Sequence, residues 1–123
     1  MKGRIFMIIL LVVLAQSCDN ADAAVLFKIT NESKDSIRIH AKSAHKEVKT
    51  VLQVEESMTL QLLLQVTTSP TVDDSYFSWI EFDTIQISQN GNLIEKDFLD
   101  REHWKFENHE QDFGIYELVI EEN

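Results

Sequence analysis

The sequence predicts an all-β domain in which two antiparallel sheets pack face to face as a sandwich. Three observations carry this. Apolar residues recur with a period of two in segment after segment, the mark of half-buried strands. Clusters of Asn, Asp, Ser, Glu and Gly separate those segments, and Asn90-Gly91 is the dipeptide that a type I′ hairpin turn favours. A chain of 123 residues with one cysteine has no disulfide framework, so its stability has to come from a packed core.

Taken in order, Val25, Phe27 and Ile29 alternate with Leu26, Lys28 and Thr30, and residues 31–35 supply a turn. Ile37, Ile39 and Ala41 then alternate with Arg38, His40 and Lys42, placing those three polar residues on one outward face. Residues 48–54 form a weaker strand, ended by Glu55-Glu56-Ser57. The longest alternation follows, with Met58, Leu60, Leu62, Leu64 and Val66 facing the core and Leu63 as the outward apolar exception. Residues 68–75 hold the only proline and read as a loop. Residues 76–82 are aromatic-rich, and a phase slip at Asp83-Thr84 before Ile85 and Ile87 marks a bulge or a break between strands. Across the Asn90-Gly91 turn, Gln89 pairs with Asn92 and Ile87 with Ile94. Residues 97–106 read as irregular or briefly helical, 107–114 as a polar loop, and Tyr116, Leu118 and Ile120 as the inward face of a last strand.

That makes seven or eight short strands. One sheet alone would leave its apolar face in water, so two sheets must cover each other. An immunoglobulin-like or transthyretin-like sandwich satisfies the pattern, without the Cys…Trp…Cys signature of true immunoglobulin domains.

The amino terminus has a different character. Lys2 and Arg4 precede Ile5–Ala15, which carries no polar side chain. This is the layout of a signal peptide. As a helix the run would reach about 17 Å, short of the roughly 30 Å hydrocarbon core. Residues 15–18, Ala-Gln-Ser-Cys, resemble the lipobox of bacterial lipoproteins. The resemblance implies cleavage before Cys18, acylation of its thiol (palmitate among the chains) and no other cofactor. Acylation also accounts for a lone cysteine in an exported chain. Expected boundaries are a signal peptide over 1–17, a tether over 18–23 with lipidated Cys18, and a sandwich domain over 24–123. Two or more acyl chains anchor stably, so the expected location is the outer membrane, on its periplasmic or surface face. A secreted or periplasmic soluble protein is the alternative, since 15–17 and 21–23 also suit an ordinary signal peptidase.

The chain carries 11 basic and 21 acidic residues. Loss of Lys2 and Arg4 with the signal would leave nine basic against the same 21, a formal net charge of −12. Such a surface repels phosphates, and no Lys/Arg cluster in the linear sequence offsets it, so nucleic acid is excluded as a partner.

Catalytic signatures are missing. No Ser lies in a Gly-x-Ser-x-Gly elbow, and Gly3, Gly91 and Gly114 form no phosphate-cradling loop. The chain reads as non-enzymatic. Glu102, His103, His109 and Glu110 are the candidate metal ligands, although the spacing of the two histidines fits no zinc pattern. Tyr76, Phe77 and Trp79 are the candidate binding surface, an aromatic platform of the kind that sugars and peptides stack on. Asn31-Glu32-Ser33 matches the N-glycosylation acceptor pattern. Ser36 and Thr84, each between Asp and an aliphatic residue, resemble the O-glycosylation motif of exported Bacteroidetes proteins.

Residues 27–37, the segment from Phe82 through Asn90-Gly91 to Trp104, and Tyr116–Ile120 together resemble small lipoproteins of the Bacteroidetes. The resemblance implies a compact β-domain on a lipid anchor. The expected function is that of a lipid-anchored cell-envelope binding protein with a protein or glycan partner. An envelope inhibitor or immunity-type lipoprotein is one alternative, and a metal- or small-ligand-binding lipoprotein is another.

Overall fold

The computed structural model describes residues 22–66, 72–110 and 112–121. Eight strands make two four-stranded sheets. Sheet A has the order β4-β1-β8-β7 and is built from β1 (Asp22–Asn31), β4 (Ser57–Val66), β7 (Trp104–Glu110) and β8 (Phe113–Ile120). Sheet B has the order β3-β2-β5-β6 and is built from β2 (Ile37–Lys42), β3 (Glu47–Leu52), β5 (Thr84–Gln89) and β6 (Asn92–Leu93). All pairings are antiparallel except one: β1 and β8 run parallel from Ala24↔Phe113 to Asn31↔Ile120. The all-β sandwich is therefore present, with one parallel seam at the centre of sheet A.

The two sheets bring different side chains to the core. Sheet B contributes aliphatic residues: Ile37, Ile39 and Ala41 from β2, Leu52 from β3, and Ile85 and Ile87 from β5, all buried. Sheet A contributes aliphatic residues as well, among them Val25, Ile29 and Leu118, and in addition the rings. Phe27 stacks on Tyr116 at 5.0 Å and meets Trp104 edge-on at 5.9 Å, and Phe106 lies 4.8 Å from Tyr116. Trp104 can be buried because its indole N–H donates to the Phe98 carbonyl at 2.7 Å.

A hydrogen-bonded hub closes the end of the sandwich where β1 crosses to β2. Asn31 is fully buried. Its Oδ1 accepts from the Ser33 amide and hydroxyl at 3.0 and 2.6 Å, and its Nδ2 donates to the carbonyls of Asp35 and Leu52 at 2.9 and 3.1 Å. Gln89, at the end of β5, donates to the Ser33 hydroxyl at 2.7 Å. One amide thus joins β1, the following turn and the end of β3.

The hairpin at Asn90-Gly91 forms as expected, with positive φ at both residues (54° and 79°) and Gln89 paired with Asn92. Three other expectations are corrected. The pairing of β1 with β4 slips between Phe27 and Lys28, whose partners are Gln61 and Thr59. Leu60 is the extra residue of this bulge, and it inverts the alternation beyond it. Leu60 and Gln61 are both buried, whereas Leu62 and Leu64 turn outward at 39% and 54% exposure. Second, the aromatic segment is a 3-10 helix, Asp74–Trp79, and not a strand. Asp73 caps it by accepting from the Ser75 amide at 2.9 Å. Third, the segment expected as a polar loop is mostly strand: residues 107–110 end β7 and residues 113–114 begin β8. β7 is an edge strand whose inward residues are only Trp104, Phe106 and Asn108, so it can be polar elsewhere.

Gly114 lies where that hairpin packs closest. A Cβ there would come within 2.6 Å of Phe106 Cε1 and 2.7 Å of Val72 Cγ1. Gly114→Ala is expected to destabilise the domain by about 1–3 kcal/mol through overpacking. Urea unfolding checks this, and an unchanged midpoint would mean that the Phe106 ring is free to move away.

Candidate functional site

The outward surfaces of the sheets differ in chemistry. On sheet A, the half nearest the start of β1 presents Ala24, Leu26, Leu62, Leu64, Phe113 and Ile115, with register partners Ala24↔Leu64 and Phe113, and Leu26↔Leu62 and Ile115. None is charged. The far half is polar: Lys28 and Glu117 form an ion pair at 3.4 Å, and Thr30 donates to Glu117 at 2.6 Å.

The outer face of sheet B is cationic. β2 contributes Arg38, His40 and Lys42, the residues that the sequence pattern placed outward. Register with β3 sets Val51, Lys49 and Glu47 opposite them, and register with β5 adds Ser88, Gln86 and Thr84. Leu93 of β6 lies beside Ser88 and is 53% exposed. Glu47 is the only carboxylate projecting from this face of the four strands, and it accepts from His40 Nε2 at 2.7 Å. That hydrogen bond, then Lys49 and more weakly Lys42, hold the Glu47 carboxyl below its ordinary range. Arg38, Lys42 and Lys49 have no ion-pair partner within 4.0 Å among the described residues. A depression of about 410 Å³ lies beside Arg38 and Lys49, lined also by His40, Val51, Gln86 and Leu93. The expectation that no basic cluster offsets the acidity is thus corrected. Linear sequence hides this cluster because Lys49 joins Arg38 and Lys42 only through the register of β3 on β2.

The predicted aromatic platform divides in two. Residues three apart eclipse each other in a 3-10 helix. Tyr76 and Trp79 accordingly stack at 6.5 Å with planes 29° apart, and Trp79 is 51% exposed. Phe77 points the other way, into the rings of Phe27, Trp104 and Tyr116. Two anchors fix the helix. Gln61 Nε2 donates to the Trp79 carbonyl at 3.0 Å, and its Oε1 accepts from the Glu81 amide at 2.9 Å. Arg101 grips Asp74 with two bonds of 2.6 and 2.7 Å, donates to the Trp104 carbonyl and covers the rings of Tyr116 and Phe77. The hydrogen bonds from Arg101 lower the Asp74 carboxyl. Burial first, then Asp74, push the Tyr116 phenol well above its usual range. Its hydroxyl has no hydrogen-bond partner among the described residues.

The four candidate metal ligands lie in two groups. Glu102 and His103 belong to a short 3-10 helix, Arg101–His103, where their ligating atoms and that of Asp100 lie within 4.8 Å of one another. Asp100 caps that helix, accepting from the Glu102 amide at 3.1 Å, which accounts for the closeness. His109 and Glu110 are at the opposite end of β7, where His109 pairs with Glu107 at 3.3 Å and packs on Phe113. At about 3.3 Å per residue the two groups are some 20 Å apart. Ser36 and Thr84 are both exposed, at the entries to β2 and β5. Cys18 lies outside the described residues.

No helix among the described residues is long and apolar enough to cross a membrane. Comparison of the chain with protein-family models, with curated proteins and with solved structures found no match to any of the three.

Proposed function

We propose that this chain is a non-enzymatic binding protein of the bacterial cell envelope, seated on the outer membrane by acyl chains on Cys18. In this reading it is one of the small lipoproteins of the Bacteroidetes that its sequence resembles. The observation that carries the proposal is the position, at the anchored end of β1, of an apolar patch on the outer face of β4, β1 and β8, bordered by Glu107 and Glu110 of the edge strand β7. Strand β1 begins at Asp22, within the expected tether, so only Asp19, Asn20 and Ala21 separate Cys18 from the fold. Those three residues span at most about 11 Å. Leu26, Leu62, Leu64, Phe113 and Ile115 then lie within reach of the lipid surface. Exposed apolar surface of this kind marks a contact, and a bilayer held one short tether away is the nearest apolar partner. Sheet B, packed about 10 Å behind sheet A, presents its outer face away from the membrane.

Globomycin, which blocks lipoprotein signal cleavage, is expected to make the unprocessed precursor accumulate, and Cys18→Ser to move the protein from the membrane to the soluble fraction. Mature protein with a free Cys18 thiol, or membrane attachment that survives Cys18→Ser, would overturn the proposal.

A further inference from the structure

We infer that the outer face of sheet B is a binding site for an acidic peptide segment of a partner protein. The inference goes beyond the anchoring proposed above and does not depend on it.

The first argument is charge. The chain is strongly acidic, with a net charge of −10, yet three cations project from one face and have no ion-pair partner within 4.0 Å among the described residues. Elsewhere Lys28 is matched with Glu117, Lys46 with Glu81 and Arg101 with Asp74, and Lys96 and Lys105 stand singly; three such cations share one face only here among the described residues. An anionic ligand would be repelled by most of the molecule and drawn to this face. Glu47, hydrogen-bonded to His40 and opposite Lys42, offsets part of the charge of the three cations, and the face keeps a positive excess for the ligand.

The second argument is spacing. Arg38 and Lys42 are four residues apart on one strand, about 13 Å, with Lys49 opposite the residue between them. That is the reach of two carboxylates spaced along an extended peptide. Gln86 and Ser88 add hydrogen-bonding groups for its backbone.

The third argument separates a peptide from an acidic glycan. Val51 and Leu93 flank the position of Arg38 on either side and are 45% and 53% exposed. Aliphatic walls beside cations suit a segment that mixes carboxylates with apolar side chains. Sugars stack on aromatic rings, and no strand residue on this face is aromatic. The exposed ring pair, Tyr76 with Trp79, belongs to the 3-10 helix and not to this face.

The test is titration of the full chain, in detergent micelles, with a short peptide of glutamate and leucine and in parallel with oligogalacturonate. The peptide is expected to bind saturably and more weakly as salt rises. Arg38→Gln with Lys49→Gln should weaken it about tenfold, the order supplied by two solvent-facing ion pairs. Lys28→Gln, which alters a cation of sheet A, should leave it unchanged. An unchanged melting temperature in the Arg38/Lys49 double variant shows that any loss is local. The inference is overturned if the peptide does not bind, if the double variant binds it as well as the native chain, if Lys28→Gln weakens it equally, or if the oligogalacturonate binds as tightly or more tightly.

Discussion

Phe27→Ala is expected to lower the stability of the domain by about 3–5 kcal/mol, the range for emptying a buried aromatic site. Phe27 is fully buried and lies at the centre of the ring cluster, in contact with Phe77, Trp104 and Tyr116. Strands β4 and β8 hold its backbone on either side. The cavity has little means of collapsing, because the surrounding rings come from three separate elements and Trp104 is pinned by its bond to the Phe98 carbonyl. Small domains are stable by about 5–15 kcal/mol in total, so this single change would consume much of the margin. Urea unfolding gives the value. A loss below about 1 kcal/mol would show that the ring cluster is not the centre of the core.

Asn31→Ala is expected to cost about 3 kcal/mol. The change leaves the Leu52 and Asp35 carbonyls and the Ser33 amide without the partner that Asn31 provides, and each buried group left unsatisfied costs about 1–3 kcal/mol. Water can reach the turn at Asp35 and offset part of that loss. Asn31→Asp sharpens the test. A carboxylate keeps the acceptor for Ser33 but cannot donate to Leu52, and burial raises its pKa. The folded variant therefore binds a proton that the unfolded chain releases near the ordinary Asp value. Its instability should shrink as the pH falls below neutrality. A penalty for Asn31→Asp that does not vary with pH would mean that the site is open to water.

The architecture was legible where one rule governed one segment. Alternation found β1, β2 and β8, and Asn90-Gly91 fixed its hairpin because few residues other than these accept positive φ in succession. Legibility ended where the deciding interaction came from elsewhere in the chain. The inward-outward assignment of β4 failed past Leu60 because a bulge is set by pairing with β1, which the local pattern does not contain. Residues 74–79 are rich in strand-favouring rings, yet they coil because Asp73 caps them and Arg101 holds Asp74, a partner 27 residues away. The cationic face was half visible, since the alternation of Arg38, His40 and Lys42 set them on one side. Its completion by Lys49 required the register of β3 on β2.

The parallel pairing of β1 with β8 has a consequence for how the domain is made. The first strand to leave the ribosome or cross a membrane has as one neighbour the last strand to arrive, so the centre of sheet A cannot close until nearly the whole domain is available. Pairings this distant in sequence are slow, on the order of milliseconds to seconds. Until then β1, with Val25, Phe27 and Ile29 unburied, is an open template for other chains. A nascent molecule of this protein therefore has its greatest need of a holding chaperone before residue 113 emerges, and little once β8 has docked.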